Sequence, residues 1–139
     1  MFSRLKSLPW LRILIGGVLI EALNFAFLYF AVYLYSTKVS PGLTEADYQK
    51  AAVLIGWRVI PRTGVVVSLL IGLWSARKEK EGGWMVGGVT ALASVLVDLL
   101  LGGRFASREL WSYSLRIIGG VTGGIARWAA LWKPSRSRV

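Results

Sequence analysis

The sequence predicts an all-α fold: an integral membrane four-helix bundle with both termini on the cytoplasmic side. Three observations carry that expectation. The chain has 139 residues, of which 55% are hydrophobic, more apolar surface than a domain of this size can hide from water. The apolar residues fall in four long runs almost free of charge, the pattern of membrane-crossing helices. The lysines and arginines gather at the ends of those runs, where they set topology.

Residues 1–139 are expected to form a single domain, given the length. The first span is expected over about residues 10–35. Arg4 and Lys6 before an apolar run resemble a signal peptide, but the run is too long for a cleaved segment and no small-residue cleavage site follows. The second span is expected over about 50–76, the third over 84–103 and the fourth over 109–132. The connection "STKVSPGLTEADYQK" (36–50) holds a Ser-Pro-Gly turn and, in Thr44 and Asp47, a start resembling a capping box. "RKEKEGG" (77–83) reads as a charged hairpin. "GRFASRE" (103–109) offers Ser107 as an N-cap.

The net charge is +10, which by itself would suit nucleic acid. Its distribution argues against that partner. Arg4, Lys6, Arg12, Arg77, Lys78, Lys80, Arg127, Lys133, Arg136 and Arg138 fall on one side of the four spans. Lys38, Lys50, Arg104 and Arg108 fall on the other. This bias predicts cytoplasmic termini and a prokaryotic cytoplasmic membrane as the location. The aromatics divide the same way, with Trp10, Trp74, Trp84, Trp128 and Trp132 at the inner interface. Tyr33, Tyr35, Trp57, Trp111 and Tyr113 would mark the outer one. The "KPSRSRV" tail reads as a solvated anchor.

A Gly-Gly-Val unit occurs at 15–18, 87–90 and 119–122, and the last two share a longer "GGVT", as a worn internal repeat would. Lipid gives no hydrophobic push between helices, so small residues that let backbones approach are expected at their contacts. Gly64, Ser68 and Gly72 form such a stripe on the second span, and Gly83 and Gly87 on the third. The fourth carries Gly119 with Gly123 and Gly120 with Gly124, and the first a weaker Ala22/Ala26 pair. Packing within the chain is the expected use, with contact between copies as the alternative.

Charges inside a span are costly and mark candidate sites. Measured from the aromatics at helical rise, Arg58 and Arg127 are interfacial and can snorkel. Arg62 and Arg116 lie roughly 7–8 Å inside the outer boundary and Asp98 about 9 Å. Glu21 lies just beneath them, roughly 16 Å from Trp10. Glu21, Asn24, Arg62, Asp98 and Arg116 are therefore expected to form one polar cluster, with Arg62 paired to Glu21 and Arg116 to Asp98. Pro61 is expected to kink the second span beside it.

The chain has no cysteine and no histidine, which removes disulfides, thiolate chemistry, His-ligated haem and the usual zinc sites. No catalytic constellation is visible, so neither an enzyme nor a cofactor site is expected. The function expected from the sequence is that of a non-catalytic accessory or assembly subunit within a larger membrane complex. The alternative is an oligomeric small transporter or channel, its polar cluster serving an anion, a lipid headgroup or a proton-coupled solute. The second layout resembles the small multidrug resistance exporters in helix count and in Glu21 alone; the membrane arginines depart from that pattern. The expected partners are membrane lipids and either other membrane subunits or further copies of the chain.

Overall fold

The computed structural model describes residues 8–79, 82–102 and 107–131. Arg4, Lys6, Lys80, Arg104, Trp132 and the 133–139 tail lie outside them, as do the side chains of Ser107 and Arg108. The described residues form four α-helices and no strand: α1 (Trp10–Leu34), α2 (Glu45–Ser75), α3 (Gly83–Leu100) and α4 (Ser107–Leu131). A π-helical turn, Tyr35–Val39, prolongs α1. The first three helices are long and apolar enough to cross a membrane. With α4, the span expected from the sequence is only partly met. It matches α1 in length, at 25 residues, but Arg116, hydroxyls and glycines hold places that apolar side chains hold elsewhere.

Local chemistry sets the helix ends. α2 begins upstream of its apolar run because Thr44 caps it: the Asp47 N–H donates to Thr44 Oγ1 at 3.3 Å, and that hydroxyl donates to Asp47 Oδ2 at 2.7 Å. α3 ends at Leu100, short of the expected 103, and Gly102 just beyond it takes a left-handed φ of 102°. α2 runs through Pro61 without ending.

The helices alternate in direction. The start of α1 lies at the end of α2, where Arg12 Nη1 donates to the Ser75 carbonyl at 2.9 Å and Nη2 to Glu79 Oε1 at 3.0 Å. α2 and α4 run parallel, with Gly119 facing Val65 and Gly123 facing Leu69. α3 and α4 run antiparallel, with Gly83 facing Gly124 and Gly87 facing Gly120. α1 and α4 are diagonal neighbours that hardly touch, each packed on α2 and α3. At the same end as Arg12, Arg127 Nη2 donates to the Arg77 carbonyl at 3.1 Å.

Among the described residues the interior mixes polar with apolar side chains while large apolar ones cover the surface, unlike a water-soluble domain. Ser68, Ser75, Thr90 and Ser94 are buried completely, whereas Leu100 is 86% exposed and Leu11 73%. Such a surface is suited to lipid. Inside, Thr90 Oγ1 lies 3.1 Å from Ser75 Oγ across α3 and α2. Backbone contact is close around Gly120. A Cβ on Gly72 would stand 2.6 Å from the Gly120 carbonyl oxygen, and one on Gly120 would stand 2.5 Å from that of Gly87. Three helices thus meet where none carries a side chain. On α1 the close contact is made by Gly16 and Gly17, against Thr90 and against Ala93 and Ser94. Ala22 and Ala26, expected as the stripe of this helix, are exposed instead.

Gly120→Ala is expected to lower stability in detergent by about 1–3 kcal/mol, the usual cost of overpacking. Gly56→Ala is the control, since its new methyl would meet nothing closer than 3.6 Å. It should hold stability or raise it by up to about 1 kcal/mol through helix propensity. Thermal unfolding of the two variants beside the wild type measures both effects.

Candidate functional site: a polar cavity on the α1–α4 diagonal

Because α1 and α4 stand apart, a cavity of about 840 Å³ lies between them. Ala52, Val53, Gly102 and Glu109 line it toward the end holding the α1–α2 and α3–α4 connections. Its polar groups converge near Glu21 and Arg116, about halfway along α1.

Glu21 and Arg116 are 3% and 2% exposed. Arg116 Nη1 donates directly to Glu21 Oε1, and the same nitrogen lies 3.9 Å from Asp98 Oδ2. One guanidinium therefore serves two acids on two other helices. It can cross the diagonal because Gly64 leaves its stem a path: a Cβ there would stand 3.1 Å from Arg116 Cγ and 3.2 Å from Nε. The Tyr113 ring lies 5.6 Å from the guanidinium carbon, within cation–π range.

Asn24, 2% exposed, faces α2, where Thr63 Oγ1 lies 3.1 Å from Asn24 Oδ1 and 3.0 Å from the Val59 carbonyl oxygen. The Thr63 hydroxyl has one proton to give. Four polar atoms of cavity-lining residues have no hydrogen-bond partner among the described residues: Asn24 Nδ2, Ser112 Oγ, Glu109 Oε2 and Arg116 Nε.

Glu21, Asn24, Asp98 and Arg116 are brought together, and of the two expected pairings Arg116 with Asp98 is met at 3.9 Å while Arg62 with Glu21 is not. Glu21 is paired with Arg116, not Arg62, and Arg116 adds Asp98 as its second neighbour. Arg62 is exposed, does not line the cavity and forms no ion pair among the described residues. Its azimuth opposes the buried Gly64/Ser68/Gly72 face, and α1 packs on the flank beside Gly56, which leaves Arg62 outside. Tyr113, expected at the interface, is buried at 4% because its ring packs under Arg116.

The remaining expected packing positions have definite neighbours. Gly64 accommodates Arg116, while Gly72, Gly83, Gly87, Gly119, Gly120, Gly123 and Gly124 meet backbone of a neighbouring helix. Ser68 is buried completely. Three site residues escaped the sequence reading: Thr63, Ser112 and Glu109. The last two had a signal, since they precede Arg116 by four and seven residues and so share its helical face. Thr63 had none, because its partner Asn24 is distant in the chain.

Breaking the buried pair should be costly and removing the outer arginine should not. Arg116→Gln is expected to lose about 3–5 kcal/mol, the range for stranding a buried charge. Arg62→Gln is expected to stay within about 0.5 kcal/mol of wild type, as surface substitutions do. Thermal unfolding in detergent compares them, and equal losses would contradict the assignment of the pair.

Among proteins already characterised, no family model, curated protein or solved structure matches this chain, so its function has to be drawn from the geometry of the cavity itself.

Proposed function

We propose that this is a small multi-pass membrane protein that binds a small solute in the α1–α4 cavity, working as an oligomeric transporter or channel subunit with no chemical step of its own. The observation that supports this reading is the cavity: centred on a buried ion pair, and lined by residues that bury polar atoms without partners among the described residues. Buried polar groups normally find partners, and unpaired ones in a cavity wall are what a ligand satisfies. An accessory subunit would account equally well for the apolar surface. It would leave the cavity and the unpaired Asn24 and Ser112 without a use.

The distribution of basic residues supports cytoplasmic termini, with the cavity toward the extracytoplasmic side. The glycine faces are engaged within the chain. Contact between copies would therefore use the apolar outer surface.

The absence of cysteine permits single-cysteine tests. In intact cells, Ser40→Cys should react with a membrane-impermeant maleimide, and Lys78→Cys should react only after permeabilisation. The reverse pattern would overturn the orientation.

Water access to the cavity is tested by a small, water-soluble methanethiosulfonate. Ala52→Cys, in the cavity wall and half-buried, should react, whereas Ser68→Cys, packed and completely buried, should not. An unreactive Ala52→Cys in folded protein would remove the basis for a solute site.

A further inference from the structure

We infer that the outer face of α2 binds one anionic phospholipid, its phosphate held between Arg58 and Arg62 and an acyl chain laid along Val66 and Leu73. The site lies outside the cavity, so it stands or falls separately from the solute-binding reading above.

Arg58 and Arg62 are both exposed, and neither lines the cavity. Neither forms an ion pair among the described residues. The acids of the chain are placed elsewhere. Glu21 and Asp98 are engaged by Arg116, Asp47 by Lys50 and Glu79 by Arg12. Glu109 lines the cavity, and Glu45 stands at the start of α2, 13 residues before Arg58. Glu81, the seventh acid, belongs to the connection between α2 and α3, at the opposite end of the bundle. Arg104 and the side chain of Arg108 lie outside the described residues, and as bases they add no counter-charge.

The two arginines are four residues apart, so they share a helix face and are separated by roughly 6 Å of rise. Like charges at this spacing repel, and a guanidinium without a counter-charge in hydrocarbon is costly. A phosphate set between them offsets both effects, since each guanidinium can donate two parallel hydrogen bonds to it. The direction of α2 brings them together. Its Cα–Cβ bonds tilt toward its N-terminus, so the stem of Arg62 starts back toward Arg58. The level is also suitable. From Arg58 to Ser75, the last residue of α2, is 17 residues, about 26 Å at helical rise, against a hydrocarbon core of about 30 Å. Arg58 therefore stands near one headgroup layer when Ser75 stands near the other.

The rest of the face distinguishes a lipid from a free anion. Val66 and Leu73 follow Arg62 by four and eleven residues, share its azimuth, and are exposed. A charged pair near the boundary with an apolar strip leading inward matches a headgroup with its acyl chain. A soluble anion would use the charges and leave the strip uncovered.

The test is native mass spectrometry of the purified full-length protein in a neutral detergent, counting retained lipid. Dioleoylphosphatidylglycerol and dioleoylphosphatidylcholine share their acyl chains and differ in net charge. One phosphatidylglycerol is expected to be held at least about tenfold more tightly than phosphatidylcholine. Arg58→Gln and Arg62→Gln should each weaken that retention about fivefold, the share of one arginine at an anionic surface. Lys78→Gln removes an equal charge from an exposed residue at the other end of the bundle, and should leave retention unchanged. Circular dichroism checks that each variant is folded.

Full phosphatidylglycerol preference in both arginine variants would overturn the site. So would an equal loss in Lys78→Gln, because the preference would then follow net charge alone. Displacement of the lipid by an equal concentration of inorganic phosphate would overturn the lipid assignment in favour of a free anion. A smaller oligomeric mass in the arginine variants, with lipid retention intact, would give this face to a second copy of the chain and overturn it too.

Discussion

The bond between Arg116 and Glu21 is the interaction on which the rest of this structure depends. It joins the two helices that otherwise hardly meet, across the diagonal of the bundle. Its position fixes α4 against α1 in height and rotation, since a guanidinium and a carboxylate this deeply buried have no other way to remain charged. Gly64 makes room for it, since a Cβ there would stand 3.1 Å from Arg116 Cγ and press on the arginine stem. The residue that looks like one member of a packing stripe on α2 thus admits a side chain from α4 to an acid on α1.

Two kinds of contact divide the bundle along its length. Toward the end where Arg12 meets Glu79, glycines on α2, α3 and α4 press backbone against backbone. Close approach supplies there the dispersion contacts that hydrophobic burial would supply in water. Toward the other end the spacing widens, and large side chains such as Trp57 and Trp111 border open space. The change occurs near Gly64 and Arg116, where the last close approach on α2 accommodates a charged side chain instead of a carbonyl.

Much of the helical architecture was legible in the hydropathy runs, because four long apolar segments in a chain this short leave few arrangements. Helix ends were less legible. α2 starts early because Thr44 and Asp47 build a cap beyond the apolar run, and α3 stops early at the left-handed Gly102. The azimuth of the site residues was not legible. Counting from aromatics put Arg62 and Arg116 at one level, but only the packing of neighbouring helices shows that Arg116 turns inward and Arg62 outward. Glu109 read as a helix start because it lies in the first turn of α4. Its place in the cavity wall depends on where that turn sits against the other helices. Asn24 and Thr63 meet across two elements with no sequence relation between them.

The arginines at the narrow end carry a mechanical consequence. Arg12 and Arg127 hold the carbonyls of Ser75 and Arg77, at the end of α2, from opposite sides of the bundle. A solute seated beside Glu21 therefore has a clasped and glycine-sealed half of the bundle ahead of it. Rotating side chains cannot open a route where backbones already touch. Whole helices would have to part, one crossing at a time, and the two arginines would have to release their carbonyls as they did. A bundle built this way has one half that only a movement of whole helices can open.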